Sequence, residues 1–215
     1  MSELRDAFDR LLGEHRRIGS PCPDRLSDGR PEAEIRRRLG ALALDPPSDL
    51  VEYFEIQDGI DNGVWSSEHG GSDLYLAPFS RSPSLPEAIE RYEAARDISV
   101  DLFGPEPRLA GQVPEAGYWA ATWFPLLIGD VTYASDCRGG ERSLVWVQSS
   151  HPGDPTSPIF SSISELIDDI VDRFRHEIIM WRPDWQAFTR NDVAAMRRDA
   201  DCRARAAGLD PHGTY

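Results

Sequence analysis

Hydrophobic residues in the first sixty positions recur three and four residues apart, which is the spacing of amphipathic helices. The pattern predicts a first helix over residues 2–17. A second helix is expected after Pro31, because proline suits the first turn of a helix, and a third is expected to begin at Ser48, a residue type that commonly caps helices. Gly59 is placed to end the third helix in a left-handed conformation.

Beyond residue 70 the pattern changes, and apolar and polar residues alternate as they do in β-strands. Short turns separate adjacent stretches, and the Gly139-Gly140 pair suits a tight hairpin, so the strands are expected to be antiparallel. The predicted strands cover residues 72–79, 119–128, 131–136 and 143–148, with a short edge strand over 158–161.

Two capping boxes predict helices on either side of the later strands. Ser84 with Glu87 opens one helix and Ser162 with Glu165 opens the other, because side chains in this motif pair with the free N–H groups of the first turn. The first helix is expected to run to about residue 101 and the second to about residue 174. The buried side of the first helix is predicted to include Ile89, Tyr92 and Ile98.

A last helix is predicted over residues 191–207, where the composition becomes rich in arginine and alanine. Its only large apolar residues are Val193 and Met196, so weak packing is expected. The order of the elements predicts an α+β fold in which an antiparallel sheet is flanked by helices. We expect a single domain over residues 1–180, including the N-terminal helix, and an arginine-rich helical extension over residues 181–215.

The charge of the chain narrows the choice of partners. The sequence contains 37 acidic residues, 23 arginines and no lysine, and its formal net charge is −14. No arginine lies between Leu39 and Ser80, whereas eight carboxylates do. This distribution predicts an acidic face that repels nucleic acid and membrane surfaces and attracts a basic protein. The alternative is a generic charge that serves solubility.

The sequence contains no signature of a targeting peptide, a membrane span or a disulfide framework. The three cysteines, Cys22, Cys137 and Cys202, are far apart, and no apolar run reaches the roughly 18 residues of a membrane span. The charged N-terminal residues do not fit a secretory signal. We therefore expect a cytoplasmic protein with reduced thiols.

The sequence offers little for catalysis or metal binding. No common hydrolase, metalloprotease or nucleotide-binding motif is present, and His15 is expected to pack or to lie at the surface. On a regular strand Asp130 and Asp136 would lie about 20 Å apart, which is too far for joint carboxylate chemistry. A nucleophile at Cys137 would need a histidine base that the sequence cannot place. We expect no catalytic, metal or cofactor site, with a hydrolase of unknown substrate as an alternative.

Three stretches, in this order, resemble the SUKH superfamily of Smi/Knr-type domains: EAEIRRRLGALALDPPSDLVEYFEIQDG, WFPLLIGDVTYASDC and IFSSISELIDDIVDRF. They are similar to the family's opening pair of helices, to its strand pair with Trp, Pro-Leu, Asp and Tyr, and to its closing helix. Together they frame residues 31–174. The chain departs from the family pattern where LDPP replaces a simple Leu-Pro step and where Ile163 stands in place of a common aromatic residue.

The resemblance implies a curved sheet packed against helices and a non-enzymatic role. Bacterial members of the superfamily are largely immunity proteins that bind and neutralise toxins, often nucleases or deaminases, and fungal relatives look like regulatory interaction modules. We therefore expect an immunity-type protein that binds a basic toxin domain, with a regulatory scaffold as the alternative. The expected contacts are Asp58, Asp61, Trp65, Glu68, Asp73, Asp130, Tyr133 and Asp136.

Overall fold

The computed structural model of the protein describes residues 2–60, 76–77, 80–104, 119–129, 131–148, 158–182 and 187–206. The α-helices in these ranges are α1 (Glu3–Arg17), α2 (Glu32–Ala41), α3 (Ser48–Ile56), α4 (Leu85–Phe103), α5 (Ile163–Arg175) and α6 (Asp192–Ala206). The strands are β1 (Leu26–Asp28), β2 (Gln57–Ile60), β3 (Ser80–Arg81), β4 (Trp123–Gly129), β5 (Thr132–Asp136), β6 (Val145–Gln148), β7 (Ile179–Arg182) and β8 (Ala187–Arg190).

A four-stranded antiparallel sheet in the order β3-β4-β5-β6 organises the middle of the chain. Trp123 of β4 lies opposite Asp136 of β5, and Ala134 of β5 lies opposite Trp146 of β6. Two smaller antiparallel pairs, β1 with β2 and β7 with β8, accompany this sheet. The predicted α+β class and the antiparallel pairing of the central strands are confirmed.

Serine caps begin the helices on either side of the sheet. Ser84 Oγ accepts a hydrogen bond from Glu87 N at 3.4 Å at the start of α4, and Ser162 Oγ accepts one from Glu165 N at 3.1 Å at the start of α5. Such bonds satisfy N–H groups that have no partner within the first turn of a helix. Both predicted helix starts are confirmed.

The core is built from aromatic residues that join the helices to the sheet. Phe54 of α3 packs edge to face against Phe124 of β4, with ring centroids 6.0 Å apart. Tyr53 donates from its buried hydroxyl to the Leu126 carbonyl at 3.2 Å. From the other side, Tyr92 of α4 also contacts Phe124, at 6.1 Å between ring centroids. These contacts fix α3 and α4 against β4, because large aromatic side chains bury much area and prefer defined ring geometries.

The β7–β8 hairpin is an element that the sequence pattern does not predict. Its Phe188 packs against Phe174 of α5 and His15 of α1, with ring centroids 5.6 and 5.9 Å apart. The domain boundary predicted after residue 180 therefore falls inside β7, a strand whose partner β8 contributes to the core. The predicted extension starts too early, because the chain stays packed against α1 and α5 through β8.

In two helices, apolar residues lie outside the core. In α6 the buried residue is Ala195, whereas Val193 and Met196 are 55% and 64% exposed. In α4 Tyr92 is buried as predicted, but Ile98 is 52% exposed. The prediction that Ile98 is buried is wrong, since the smaller Ser99 occupies the inward position. The exposure of Val193 and Met196 agrees with the weak packing predicted for the last helix.

Gly59 adopts the left-handed conformation predicted for it, with φ of +89°, but it does so in another element. Helix α3 has already ended at Ile56, and Gly59 lies in β2. A Cβ atom at this position would lie 2.5 Å from the backbone nitrogen of Ser84. Glycine is therefore required both by the backbone angle and by the close approach of β2 to the start of α4.

Candidate protein-binding surface

Most of the residues predicted as partner contacts cannot be placed. Asp61, Trp65, Glu68, Asp73 and Asp130 lie outside the described residues. The structure places the other three, and two of these have a role inside the fold.

Asp58 is buried in β2 and both of its carboxylate oxygens are bonded. Oδ1 accepts from the backbone N–H of Leu85 at 2.7 Å, and Oδ2 accepts from Arg30 Nε at 2.6 Å. This hydrogen bond is the main reason why the pKa of Arg30 lies above its usual value. The prediction that Asp58 is a partner contact is wrong, because its side chain is only 8% exposed and ties β2 to α4 and to Arg30.

Asp136 at the end of β5 is also a structural residue. Its Oδ1 accepts from Thr122 Oγ1 at 2.7 Å, and its Oδ2 lies 2.5 Å from Arg138 Nη2. The side chain is 2% exposed. The prediction that Asp136 reaches a partner is therefore wrong, since the carboxylate faces inward at the loop that follows the strand.

Tyr133 of β5 is half-buried, and burial is the main cause that raises the pKa of its phenol. Its side chain lines a cleft between β5 and the C-terminal elements. The predicted site residues that can be placed thus do not form one shared surface.

The acidic window between Leu39 and Ser80 is partly consumed by internal bonds. Asp49 accepts from the backbone N–H and the hydroxyl of Ser143, at 2.8 and 2.6 Å, and from the N–H of Ile163 at 3.3 Å. Glu52 accepts from the Ser2 hydroxyl at the start of α1. Asp49 and Glu52 therefore join α3 to α1, α5 and the turn before β6 and serve the fold, whereas Asp45 and Glu55 of the same window are exposed.

Helix α4 carries a row of carboxylates on its outer side. Its inward residues, which include Leu85, Ala88 and Tyr92, are buried. On the opposite side the acidic residues are spaced three and four positions apart, so they share one face of the helix. This acidic face of α4 consists of Glu90, Glu93, Asp97 and Asp101, all exposed.

The acidic face of α4 is unneutralised within the described part of the chain. None of its four carboxylates forms an ion pair there, whereas Glu87, one turn earlier, pairs with Arg81. The spacing brings Glu93 near Asp97 and Asp97 near Asp101, and like charges four residues apart cost about 0.2–0.5 kcal/mol per pair. The last turn of α4 contains no basic residue, so Asp101 also faces the negative end of the helix dipole. Arg91 and Arg96 are also exposed on α4 but form no ion pair with the row, so a cationic group from a partner would relieve the remaining repulsion.

Exposed aliphatic side chains flank the acidic face of α4. Ile98 is 52% exposed and Leu102 is 62% exposed, and their spacing of four residues places them together along one side of the carboxylate row. Single exposed apolar residues are common, but here two of them adjoin four unpaired charges. Apolar side chains beside charged groups are the composition of protein interfaces, which combine a dry centre with a polar rim.

A cleft of about 530 Å³ lies at the N-terminal end of this face. Glu90 and Arg91 of α4 line one wall, and Ile128 and Thr132, on either side of the β4–β5 turn, line another. The acidic face thus borders a concave surface where a partner's side chain could insert.

The described cysteines are unsuited to nucleophilic chemistry. Cys137 is buried, and this burial, together with the charge of Asp136, holds the pKa of its thiol far above the usual range. Burial also raises the pKa of Cys22 to about 12. Both thiols are therefore protonated near neutral pH, and the thiolate is the reactive form. Within the described ranges, no group of three or more His, Cys, Asp or Glu side chains could hold a metal ion.

No family model matches the chain, and no curated protein matches it. The resemblance to the SUKH superfamily therefore stays a prediction. Among the helices that the structure describes, none is both long and apolar enough to cross a membrane.

The acidic face of α4 escaped the sequence reasoning, although the signal was present. Glu90, Glu93, Asp97 and Asp101 are spaced three, four and four residues apart, which is a helical charge pattern. The predicted contacts lie instead in the arginine-free window and around β5. The side of α4 that faces the solvent became clear only once Ile98 was found exposed.

Proposed function

We propose that the protein is a non-enzymatic binding module that engages a basic protein partner through the acidic face of α4. The observation that carries this proposal is the row of four exposed carboxylates without ion pairs among the described residues, beside the exposed Ile98 and Leu102. A partner with lysine or arginine side chains would relieve the repulsion along the row. Its apolar residues would cover the two aliphatic side chains.

The charge of the whole chain favours the same kind of partner. A net charge of −14 attracts a basic domain over a distance of about one Debye length, which is roughly 8–10 Å at physiological salt. Such complementarity mainly raises the rate of association and the selection of partners. The α4 face supplies a local surface on which this general attraction can end in a specific contact.

The resemblance to the SUKH superfamily supports a toxin-neutralising role for this binding. We propose a cytoplasmic immunity-type protein whose partner is a basic nuclease or deaminase domain. The contacts expected at Asp61, Trp65, Glu68, Asp73 and Asp130 stay predictions beside the α4 face.

A pull-down with quantitative mass spectrometry tests the binding surface. The bait is the full chain in three forms: the natural sequence, Glu93→Arg with Asp97→Arg, and Asp9→Arg with Asp172→Arg. The last pair reverses two exposed carboxylates on α1 and α5 and changes the net charge by the same amount. We expect a basic protein to co-purify with the natural chain and with the α1/α5 variant. The amount that co-purifies with the α4 variant should be at least tenfold lower. Equal retention by all three would contradict the assignment of the surface.

Co-expression tests the toxin-neutralising role separately. The gene next to that of this protein is expressed with and without it, and cell growth is measured. Rescue by the natural chain and its loss with Glu93→Arg and Asp97→Arg are the expected results. A basic partner captured through α4 that is not toxic would instead favour a regulatory scaffold.

A further inference from the structure

A second concave site lies where β5, α5, β7, β8 and α6 meet. This C-terminal cleft has a volume of about 360 Å³ and includes no residue of α4. Branched aliphatic side chains form much of its wall: Val131, Ile170, Ile178 and Ile179. The volume is within the range of small-molecule sites, about 300–1,000 Å³, and close to its lower end.

The cleft contains hydrogen-bond donors that the fold does not use. The Tyr133 hydroxyl forms no hydrogen bond with any described residue, and burial raises the pKa of this phenol, so it is a donor at neutral pH. The positive charge of Arg173 acts on the same phenol, which places the guanidinium nearby. Arg173 is held through Nε, which donates to Asp169 Oδ2 at 2.6 Å, and its two terminal nitrogens bond to no described residue.

Three guanidinium groups surround the cleft, and each of them is paired with a carboxylate of α5 or α6. Arg190 and Arg198 line it together with Arg173, and Asp199 is its one lining carboxylate among the described residues. Arg198 is fixed by a hydrogen bond of 2.9 Å to Asp169 Oδ1. Arg190 pairs with Asp192 at 3.0 Å, so the donors left open towards the cleft are the terminal nitrogens of Arg173 and the hydroxyl of Tyr133. Two such donors beside branched aliphatic side chains indicate a site for an anion with an apolar body.

We propose that the C-terminal cleft binds a small organic carboxylate, with the carboxylate at Tyr133 and Arg173 and the aliphatic body against Ile170, Ile178 and Ile179. A carboxylate fits better than a phosphate, because its two oxygens match one phenol and one guanidinium edge and its single charge suits a cleft whose other arginines are already paired with carboxylates. The site goes beyond the proposed binding of a protein partner and shares no residue with the acidic face of α4.

Isothermal titration of the full chain with octanoate and with octan-1-ol tests the proposal. The two probes have the same chain length and differ in the charged head group. We expect saturable one-to-one binding of octanoate and at least tenfold weaker binding of the alcohol. Equal affinities, or no saturable binding of octanoate, would overturn the proposal.

Variants of the cleft locate the binding. Tyr133→Phe removes only the hydroxyl, and a lost hydrogen bond to a charged group corresponds to roughly a tenfold fall in affinity. Arg190→Gln should also weaken octanoate binding, whereas Arg182→Gln, an exposed position on the neighbouring strand β7, is the matched control and should not. Ala195→Leu fills the cleft with side-chain atoms and should abolish binding while the protein stays folded by circular dichroism.

The outcome is separable from the protein-binding proposal. Glu93→Arg with Asp97→Arg should leave octanoate affinity unchanged, because both residues are on α4. Octanoate affinity that is unaffected by Tyr133→Phe and by Ala195→Leu would show that any binding occurs elsewhere and would overturn the assignment.

Discussion

His15 of α1 is fully buried and packs against the β7–β8 hairpin, and both of its ring nitrogens are within hydrogen-bond distance of a partner. Nε2 is 3.0 Å from the Leu76 carbonyl, and Nδ1 is 3.0 Å from Ser20 Oγ. Because a carbonyl oxygen can only accept, Nε2 carries the hydrogen and Nδ1 accepts from the serine hydroxyl. The imidazole is therefore neutral in the folded state, and burial lowers its pKa to about 4.

The buried His15 makes stability depend on pH. Its folded-state pKa of about 4 is below the unfolded value of about 6.5, so the unfolded chain takes up the proton first as the pH falls. The contribution of the neutral His15 to the free energy of unfolding is complete above pH ~6.5. It is lost as the pH falls towards ~4, at about 1.4 kcal/mol per pH unit. Urea unfolding measures the free energy of unfolding at each pH. Between pH 6.5 and 5 its slope against pH should be smaller in His15→Gln than in the natural chain by about 1.4 kcal/mol per pH unit. The exposed His176 is the control, and His176→Gln should keep the natural slope; equal slopes for both variants would contradict the assignment.

Asp58 should matter for stability and not for binding. Asp58→Ala removes the acceptor for the Leu85 N–H and the partner of Arg30, and we expect a loss of about 2–4 kcal/mol in the free energy of unfolding. Arg30 is partly exposed, which favours the lower end of that range. Glu34→Ala is the control, because Glu34 also pairs with Arg30 but at the surface, where the expected loss is under about 1 kcal/mol. If Asp58→Ala left the stability unchanged but weakened the binding of the partner, Asp58 would be a partner contact after all.

At the scale of elements, the helices and central strands were predictable because their signals are local. The serine caps at Ser84 and Ser162 define helix starts within four residues of sequence, and the alternation in β4 and β5 needs only a few neighbours. Which side of a helix faces the core was harder to predict from the sequence. Ile98 has the type of a core residue, but Ser99 is the inward one, and its hydroxyl donates to the Trp119 carbonyl at 3.2 Å, a contact twenty residues away in the sequence.

Elements that form through distant contacts were missed for the same reason. β1 pairs with β2 across about thirty residues, and β8 is held by Phe174 and His15, which are distant in sequence. The role of Asp58 has this origin too, because its partners Arg30 and Leu85 are both 27 or more residues away. Charge type was readable from the sequence, but whether a carboxylate lies at the surface was not.

The α4 helix should become more stable when its acidic face is disrupted. Asp101→Arg removes a like-charge pair with Asp97 and places a cation at the negative end of the helix dipole, so the free protein should gain about 0.5–1 kcal/mol. Asp6→Arg in the first turn of α1 is the control and should lower the stability, because an acidic residue is favourable near the N-terminus of a helix. Thermal unfolding of the free protein measures both. Destabilisation by Asp101→Arg would mean that Asp101 already has a favourable role in the free fold.

At the scale of the whole molecule, ion pairs join α1 to α5, whereas the acidic row of α4 forms none within the described residues. Arg10 of α1 pairs with Asp168 of α5 at 2.7 Å, and Arg175 of α5 pairs with Glu14 of α1 at 3.1 Å. Burial alone would raise the pKa of Glu14, but the hydrogen bonds from Arg17 and Arg175 together hold it below its usual value. The net charge of −14 is thus distributed unevenly, and the outer side of α4 has no such pairing within the described residues.

The rate at which the protein associates with its captured partner, measured by stopped flow as a function of ionic strength, tests the central claim most directly. If the acidic face of α4 guides binding, Glu93→Arg with Asp97→Arg should lower the association rate constant at least tenfold at low salt and flatten its dependence on salt. The equally charged control, Asp9→Arg with Asp172→Arg, should stay within about threefold of the natural chain. Equal rates for the two variants at every ionic strength would show that only net charge matters and would contradict the assignment of α4 as the binding surface.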